Sequence, residues 1–143
     1  MRIKLSPLEK VLFETEIPVR ITDLNYGNHL GNDSLVSILH EARMHFLNNI
    51  DASELDFFGV SLIMSDLAVE YKGEAFYGDT LNIKMEVGSV HKVGFDLFYE
   101  FHNKEKLLAR AKTGMICFDY SKRKVQQLPG SFIRKVQQLS AND

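Results

Sequence analysis

The chain has 143 residues, 45% of them hydrophobic, which is enough for one domain with a real core and short for two. Its 17 basic and 19 acidic side chains leave a formal charge of -2 and are scattered, with Lys122-Arg123-Lys124 the one tight basic run, so a nucleic-acid partner is not expected. Cys117 is the only cysteine, which excludes an intramolecular disulfide and points to a reducing compartment, the cytoplasm.

Residues 1 to 19 mix Lys4, Glu9, Lys10, Glu14 and Glu16 among apolar side chains, so neither a signal peptide nor a membrane span is expected there. Phe13 to Asp23 carries Ile17, Val19 and Ile21 at period two and reads as a first strand, interrupted by Gly27 and Gly31. Leu35, Leu39, Ala42, Phe46 and Ile50 then recur every three or four residues, with Ile38 and Leu47 widening the stripe. This pattern predicts one amphipathic helix over about Asp33 to Asn49, with Asn32 or Asp33 as its N-cap.

Asp51 to Gly59 reads as a loop containing Phe57-Phe58. Leu67, Val69 and Tyr71 alternate with Ala68, Glu70 and Lys72, and after a Tyr77-Gly78-Asp79 turn Leu81, Ile83, Met85 and Val87 do the same. Val93 to Phe101 repeats the alternation, Asn103-Lys104-Glu105 turns the chain, and a long strand runs from about Lys106 to Tyr120. Gly130 to Leu139 is expected to be a short terminal helix, and Lys122-Arg123-Lys124 a solvated turn. There is no internal repeat or linker, so residues 1–143 read as a single domain. One helix with an opening strand and four antiparallel strands buries its apolar surface best when the sheet curls around the helix, an α+β fold. Phe98, Leu108, Ile116 and Phe118 fall on the phase opposite to Phe95, Leu97, Ala109 and Met115. Apolar residues on both faces predict a subunit interface, hence a homodimer or a dimer of dimers.

The segment Asp23-Leu24-Asn25-Tyr26-Gly27-Asn28-His29-Leu30-Gly31-Asn32-Asp33 concentrates acid, amide and imidazole groups at a helix start. Orphan N–H groups and the positive end of the helix dipole favour an anion there, as a carbonyl reaction requires. Asp23 is either a base for water or an acceptor that fixes the turn. Asn25 is either a donor to a carbonyl oxygen or a turn residue. His29 can orient a carboxylate or protonate a leaving group, or can be merely hydrogen-bonded. Gly31 is a substrate-binding candidate because it lets backbone N–H groups at the helix start come close to a ligand, and Asn32 and Asp33 are caps as well as candidate binders.

Glu41 adjoins the core stripe through Ala42 and is a second candidate carboxylate, its other reading being an ion pair with Arg43 or a neighbour. His40-Glu41-Ala42-Arg43-Met44 lacks the second histidine of a zinc motif, and no metal site is expected. Cys117 reads as a buried small side chain.

The order of strand, acidic loop with His29, helix with Glu41-Ala42-Arg43, and strands with an aromatic-Gly-Asp turn resembles the hotdog-fold acyl thioesterases over about Val19 to Pro129. The likeness is to the 4-hydroxybenzoyl-CoA thioesterase-like group and, in the loop, to plant acyl-carrier-protein thioesterases. It implies a sheet wrapped around one long central helix and hydrolysis of an acyl-CoA or acyl-carrier-protein thioester to acid and thiol, without a cofactor. In those families the loop runs Asp-x-Asp-x-x-x-His-x-Asn-Asn. Asp23, His29 and Asn32 match it, Gly31 replaces the first paired Asn, and Asn25 stands where the usual catalytic Asp would be. An amide cannot act as a base, so the resemblance assigns that task elsewhere, to Asp23 or Glu41. A non-catalytic acyl-CoA-binding protein and a hydroxyacyl-thioester dehydratase are the alternative readings.

Overall fold

A computed structural model describes residues 1 to 141; the last two residues of the expected single domain, 142 and 143, lie outside the described residues. The elements are β1 (Phe13–Pro18), a 3-10 turn (Ile21–Asp23), α1 (Asn32–Asn49), β2 (Ser61–Tyr71), β3 (Thr80–His91), β4 (Gly94–Asn103), β5 (Lys106–Asp119), β6 (Lys124–Val125) and α2 (Gly130–Ala141). The six strands form one antiparallel sheet in the order β1-β3-β4-β5-β2, with β6 paired to the end of β5. This is the curled sheet and central helix that the sequence pattern predicts.

Leu35, Ile38, Leu39, Ala42, Phe46 and Leu47 are the buried stripe of α1. They pack with the inward phase of the strands, including Leu81, Ile83, Phe95, Leu97 and Met115, in one continuous core. Ala42 is fully buried, so the helix has no room there for a larger side chain. At one end of the core Phe132 of α2 stacks on Phe95 with centroids 4.3 Å apart and meets Phe57 at 5.0 Å, closing the sheet.

Inside this apolar volume lies one polar chain. Arg43 donates from Nε to Glu54 at 3.1 Å and from Nη1 to the Tyr99 hydroxyl at 3.3 Å, and that hydroxyl shares a 2.9 Å hydrogen bond with Thr113. Arg43 is therefore buried and paired with Glu54, and of the partners that the sequence offered to Glu41, Arg43 or a neighbour, Glu41 takes the neighbour His45. Burial pushes the Tyr99 phenol above its ordinary value and keeps it neutral. The Cys117 thiol is buried as expected and pushed up to about 11, which makes it a poor nucleophile.

Several boundaries differ from the sequence expectation. The first strand stops at Pro18, and the chain turns through Ile21–Asp23 instead of continuing to Asp23. Proline fixes φ and supplies no N–H, which suits a strand end. Strand β2 begins six residues before Leu67, hidden by a bulge between Met64 and Asp66 that breaks the alternation. The N-cap of α1 is Gly31 rather than Asn32 or Asp33, and it makes no side-chain capping hydrogen bond. Lys124 belongs to the short strand β6, leaving Lys122 and Arg123 in the turn.

The outward face of the sheet is also less apolar than its sequence phase implies. A charge lattice occupies much of it: Arg110 binds Glu100 at 2.9 Å, and Lys112 bridges Asp66 and Asp96. The N-terminal segment crosses this face. The Leu5 N–H donates to Glu70 on β2 at 3.0 Å, Leu8 to Glu100 on β4 at 3.1 Å, and Glu9 to Glu86 on β3 at 2.9 Å. Phe98 and the strap residues Pro7 and Leu8 line one shallow cleft, so part of the second apolar phase meets the chain's own N-terminus.

Candidate active site

The loop before α1 is a set of nested backbone turns. Asn25 N–H donates to the His29 carbonyl at 2.9 Å and Asn28 N–H to the Asn25 carbonyl at 3.0 Å, with Asn28 at φ 65°. Asparagine tolerates that left-handed conformation better than most residues, which accounts for its presence here. The Asn25 side-chain oxygen accepts the Gly27 N–H at 2.9 Å. Because that contact uses the oxygen, the amide NH₂ of Asn25 is left as the group able to donate elsewhere. Gly27 carries the His29 ring against it: a Cβ at Gly27 would stand 3.0 Å from Nε2.

Asp23 lies at the root of the loop with a nearly buried carboxylate. It accepts the Arg20 N–H at 2.8 Å and the Arg20 guanidinium at 3.2 and 3.3 Å, while its own carbonyl accepts the Gly31 N–H at 3.0 Å. These bonds clamp the two ends of the loop together. The Gly31 N–H is thus spent, and the open donors of the helix entrance are the N–H groups that follow, beginning at Asn32.

A second segment completes the entrance. Leu30 N–H donates to the Ala75 carbonyl at 2.8 Å, and His29 and Phe76 form an isolated antiparallel bridge. That register places Glu74 opposite Gly31. The resulting cleft is about 220 Å³ and is lined by His29, Leu30, Gly31, Asn32, Leu35, Tyr71, Gly73, Glu74, Ala75 and Leu108. Within it His29 Nε2 lies 3.9 Å from Glu74 Oε1, the His29 ring stands edge-on to Phe76, and the Tyr71 hydroxyl donates to the Asn32 carbonyl at 3.2 Å. Burial raises the Tyr71 phenol, with Asp33 adding to the effect, so it serves as a neutral donor.

The structure brings His29, Gly31 and Asn32 to this cleft and packs Asn25 just behind Gly31, to whose Cβ position its own Cβ is 3.6 Å away. Asp33 sits in the exposed first turn of α1. Glu41 is elsewhere. It is exposed, one position off the buried face, and lines a cleft of about 350 Å³ between β1 and α1 together with Arg20, Ser37 and His45. There His45 Nε2 pairs with Glu41 at 3.0 Å and His45 Nδ1 with the Thr15 hydroxyl at 2.6 Å. Sequence reasoning missed Glu74 and Tyr71 as site residues. Tyr71 reads only as the end of a strand alternation and Glu74 belongs to no pattern or motif, and only the pairing of Ala75 and Phe76 with the loop carries Glu74 to the entrance. Among the described residues no cluster of potential metal ligands is present, and no helix is long and apolar enough to cross a membrane.

Comparison with known proteins identifies the family and the fold. Residues 19–136 match the family model of the thioesterase-like superfamily. A 1,4-dihydroxy-2-naphthoyl-CoA hydrolase of Microcystis aeruginosa is 32% identical over 100 residues, covering 68% of this chain and 72% of that protein. The enzyme of the same name from Nostoc punctiforme is 27% identical over 119 residues, covering 81% and 80%. In fold, a 1,4-dihydroxy-2-naphthoyl-CoA thioesterase from Synechocystis superposes with a TM-score of 0.80 at 22% identity, covering 90% of this chain and 97% of that one. A DHNA-CoA thioesterase from Staphylococcus aureus superposes with a TM-score of 0.79 at 21% identity, covering 90% of each. The match over residues 19–136 contains the loop, the helix it opens onto and the strands around it, and by that match the chain belongs to the thioesterase-like superfamily of hotdog-fold acyl-thioester hydrolases.

Proposed function

We propose that this protein hydrolyses an acyl-CoA at the α1 entrance, releasing the free acid and the thiol of coenzyme A. The observation that carries this reading is the cleft in which His29 and Glu74 face the N-terminus of α1, inside the region matched by the family model. The thioester oxygen is held by the open N–H groups from Asn32 onward or by the Asn25 amide, where the dipole of α1 favours developing negative charge. Gly31 and Asn32 keep backbone close to the carbonyl, Asp33 flanks it, and His29 orients the attacking water or protonates the departing thiolate. Asp23 and Glu41 are the carboxylates that the chain pattern offers as base. The Asp23 carboxylate is committed to Arg20 and Glu41 lies in the neighbouring cleft, so variants of both belong in the test. No metal or cofactor enters this scheme, and a buried lone thiol suits the cytoplasm.

The acyl group is the open variable. Both curated relatives carry the name of a hydrolase for an aromatic hydroxyacyl-CoA, so aromatic acyl-CoAs head the substrate series. Thiol release measured across short, long and aromatic acyl-CoAs, with an acyl-carrier-protein conjugate in parallel, tests the function. Release of thiol with free acid supports hydrolysis, whereas tight binding without release from any of them supports the acyl-CoA-binding reading that the loss of an acid at Asn25 suggests.

The assembly belongs to the same proposal. Strand β2 is a free edge of the sheet, and its Met64, Leu67 and Tyr71 are 43%, 36% and 45% exposed. A second copy pairing along this edge would cover them and enclose the neighbouring entrance cleft, giving a homodimer or a dimer of dimers. Light scattering at micromolar concentration tests it, and a 16.4 kDa particle would exclude it.

A further inference from the structure

We propose that Glu74 is the carboxylate that takes the proton from the attacking water, an inference that rests on the hydrolase reading of the entrance cleft. Among the acidic groups around α1, Asp23 is nearly buried and saturated by Arg20, and Glu41 holds His45 in the other cleft. Glu74 differs from both. Its side chain is 61% exposed and lines the cleft, and the one ion pair it makes among the described residues is the 3.9 Å approach to His29.

That separation is too long for a good direct hydrogen bond, yet one water can lie within reach, roughly 2.6–3.2 Å, of both groups. The backbone fixes this arrangement. The Leu30–Ala75 hydrogen bond and the His29–Phe76 bridge hold the Glu74 backbone opposite Gly31, so water on Glu74 stands beside the carbonyl carbon of an acyl group whose oxygen rests on the first N–H groups of α1.

The step balances without another reactant. The water oxygen bonds to the carbonyl carbon as its proton passes to Glu74, leaving the oxyanion on the α1 donors. Collapse of that intermediate breaks the carbon–sulfur bond. Protonated Glu74, directly or through His29, returns its proton to the thiolate, and Glu74 is a carboxylate again.

The test is steady-state thiol release by the parent, E74Q, E74D, D23N and E41Q on the best acyl-CoA found for the parent, with circular dichroism and thermal melts on each. E74Q is expected to lower kcat by about a hundredfold or more, in the range of general-base contributions, with KM little changed and the melt retained. E74D should recover part of that loss, and the acidic limb of the parent's kcat–pH profile should vanish in E74Q. An active parent whose E74Q variant keeps kcat within threefold overturns the role of Glu74 and leaves the hydrolase reading standing. So does a loss confined to folded D23N or folded E41Q. A parent that releases no thiol from any acyl-CoA overturns both.

Discussion

Two of the clefts beside α1 each hold an imidazole next to a carboxylate. In the cleft on the β1 side both nitrogens of His45 are used, one on Thr15 and one on Glu41. At the helix entrance the distant Glu74 is the one polar side-chain partner of His29 among the described residues. A histidine with two short partners is a structural pin that ties a strand to a helix. One with a single partner nearly 4 Å away keeps its hydrogen-bonding capacity for something that arrives. The larger cleft is therefore the weaker catalytic candidate, and the presence of an acid–imidazole pair says less than how much of its bonding is already spent.

The comparison breaks most completely if the shared wall is removed. Ala42 is fully buried where α1 meets the core. Ala42→Glu places an unpaired charge there and is expected to cost at least about 4 kcal/mol, enough to unfold a marginal domain. Chemical denaturation measures this directly, and a variant as stable as the parent would refute the central-helix packing.

Exchanging the two histidines for alanine sharpens the contrast. His29→Ala is expected to lower kcat by about tenfold to a hundredfold, somewhat below a full general-base contribution, with little change in stability. His45→Ala is expected to do the reverse: kcat within about threefold, and a stability loss of about 1 kcal/mol for the hydrogen bond to Thr15 and the exposed pair with Glu41. The measurements are the thiol-release assay and urea melts on the same preparations. Reversal of the two patterns would move the chemistry into the β1-side cleft.

Asn25→Asp has a smaller expected effect. The new carboxylate can still accept the Gly27 N–H, and the α1 N–H groups remain to hold the thioester oxygen, so kcat should stay within about threefold of the parent or rise. A larger loss would assign the oxyanion to the Asn25 amide.

Much of this contrast was beyond sequence reading for definable reasons. The central helix was legible because Leu35, Leu39, Ala42 and Phe46 keep one face over about three turns, and the strands because Leu81 to Val87 alternate and Phe95, Leu97, Tyr99 and Phe101 keep one phase. The loop was legible as a concentration of polar groups around two glycines. The state of each group was not. Whether Asp23 is free or clamped depends on how Arg20 folds back, which no spacing encodes. Glu74 sits in a short connection with no pattern and gains its position from a two-residue backbone pairing. The bulge in β2 shifts the side-chain phase by one, which erased the first half of that strand from the alternation.

The smallest effect concerns the opposite face of the sheet and tests whether the two clefts are independent of it. Glu70 is held below its ordinary value of 4.5, first by the Leu5 N–H and then by Lys72. A carboxylate with a lowered folded-state value contributes stability that is present above its unfolded value and is lost as pH falls through the folded one. The strap should therefore stay docked at neutral pH and begin to loosen only below about 4.5, as Glu70 protonates and loses the charge that strengthens its bond from the Leu5 N–H and its pair with Lys72. Hydrogen exchange of residues 5 to 10 as a function of pH reads this. Glu70→Gln should loosen the same residues already at pH 7, while kcat there stays within about twofold of the parent, because among the described residues the strap is hydrogen-bonded to Glu70, Glu86 and Glu100 and neither to His29 nor to Glu74. A parallel fall in kcat would mean that the convex face controls the entrance and that the two imidazoles differ for a reason other than their immediate partners.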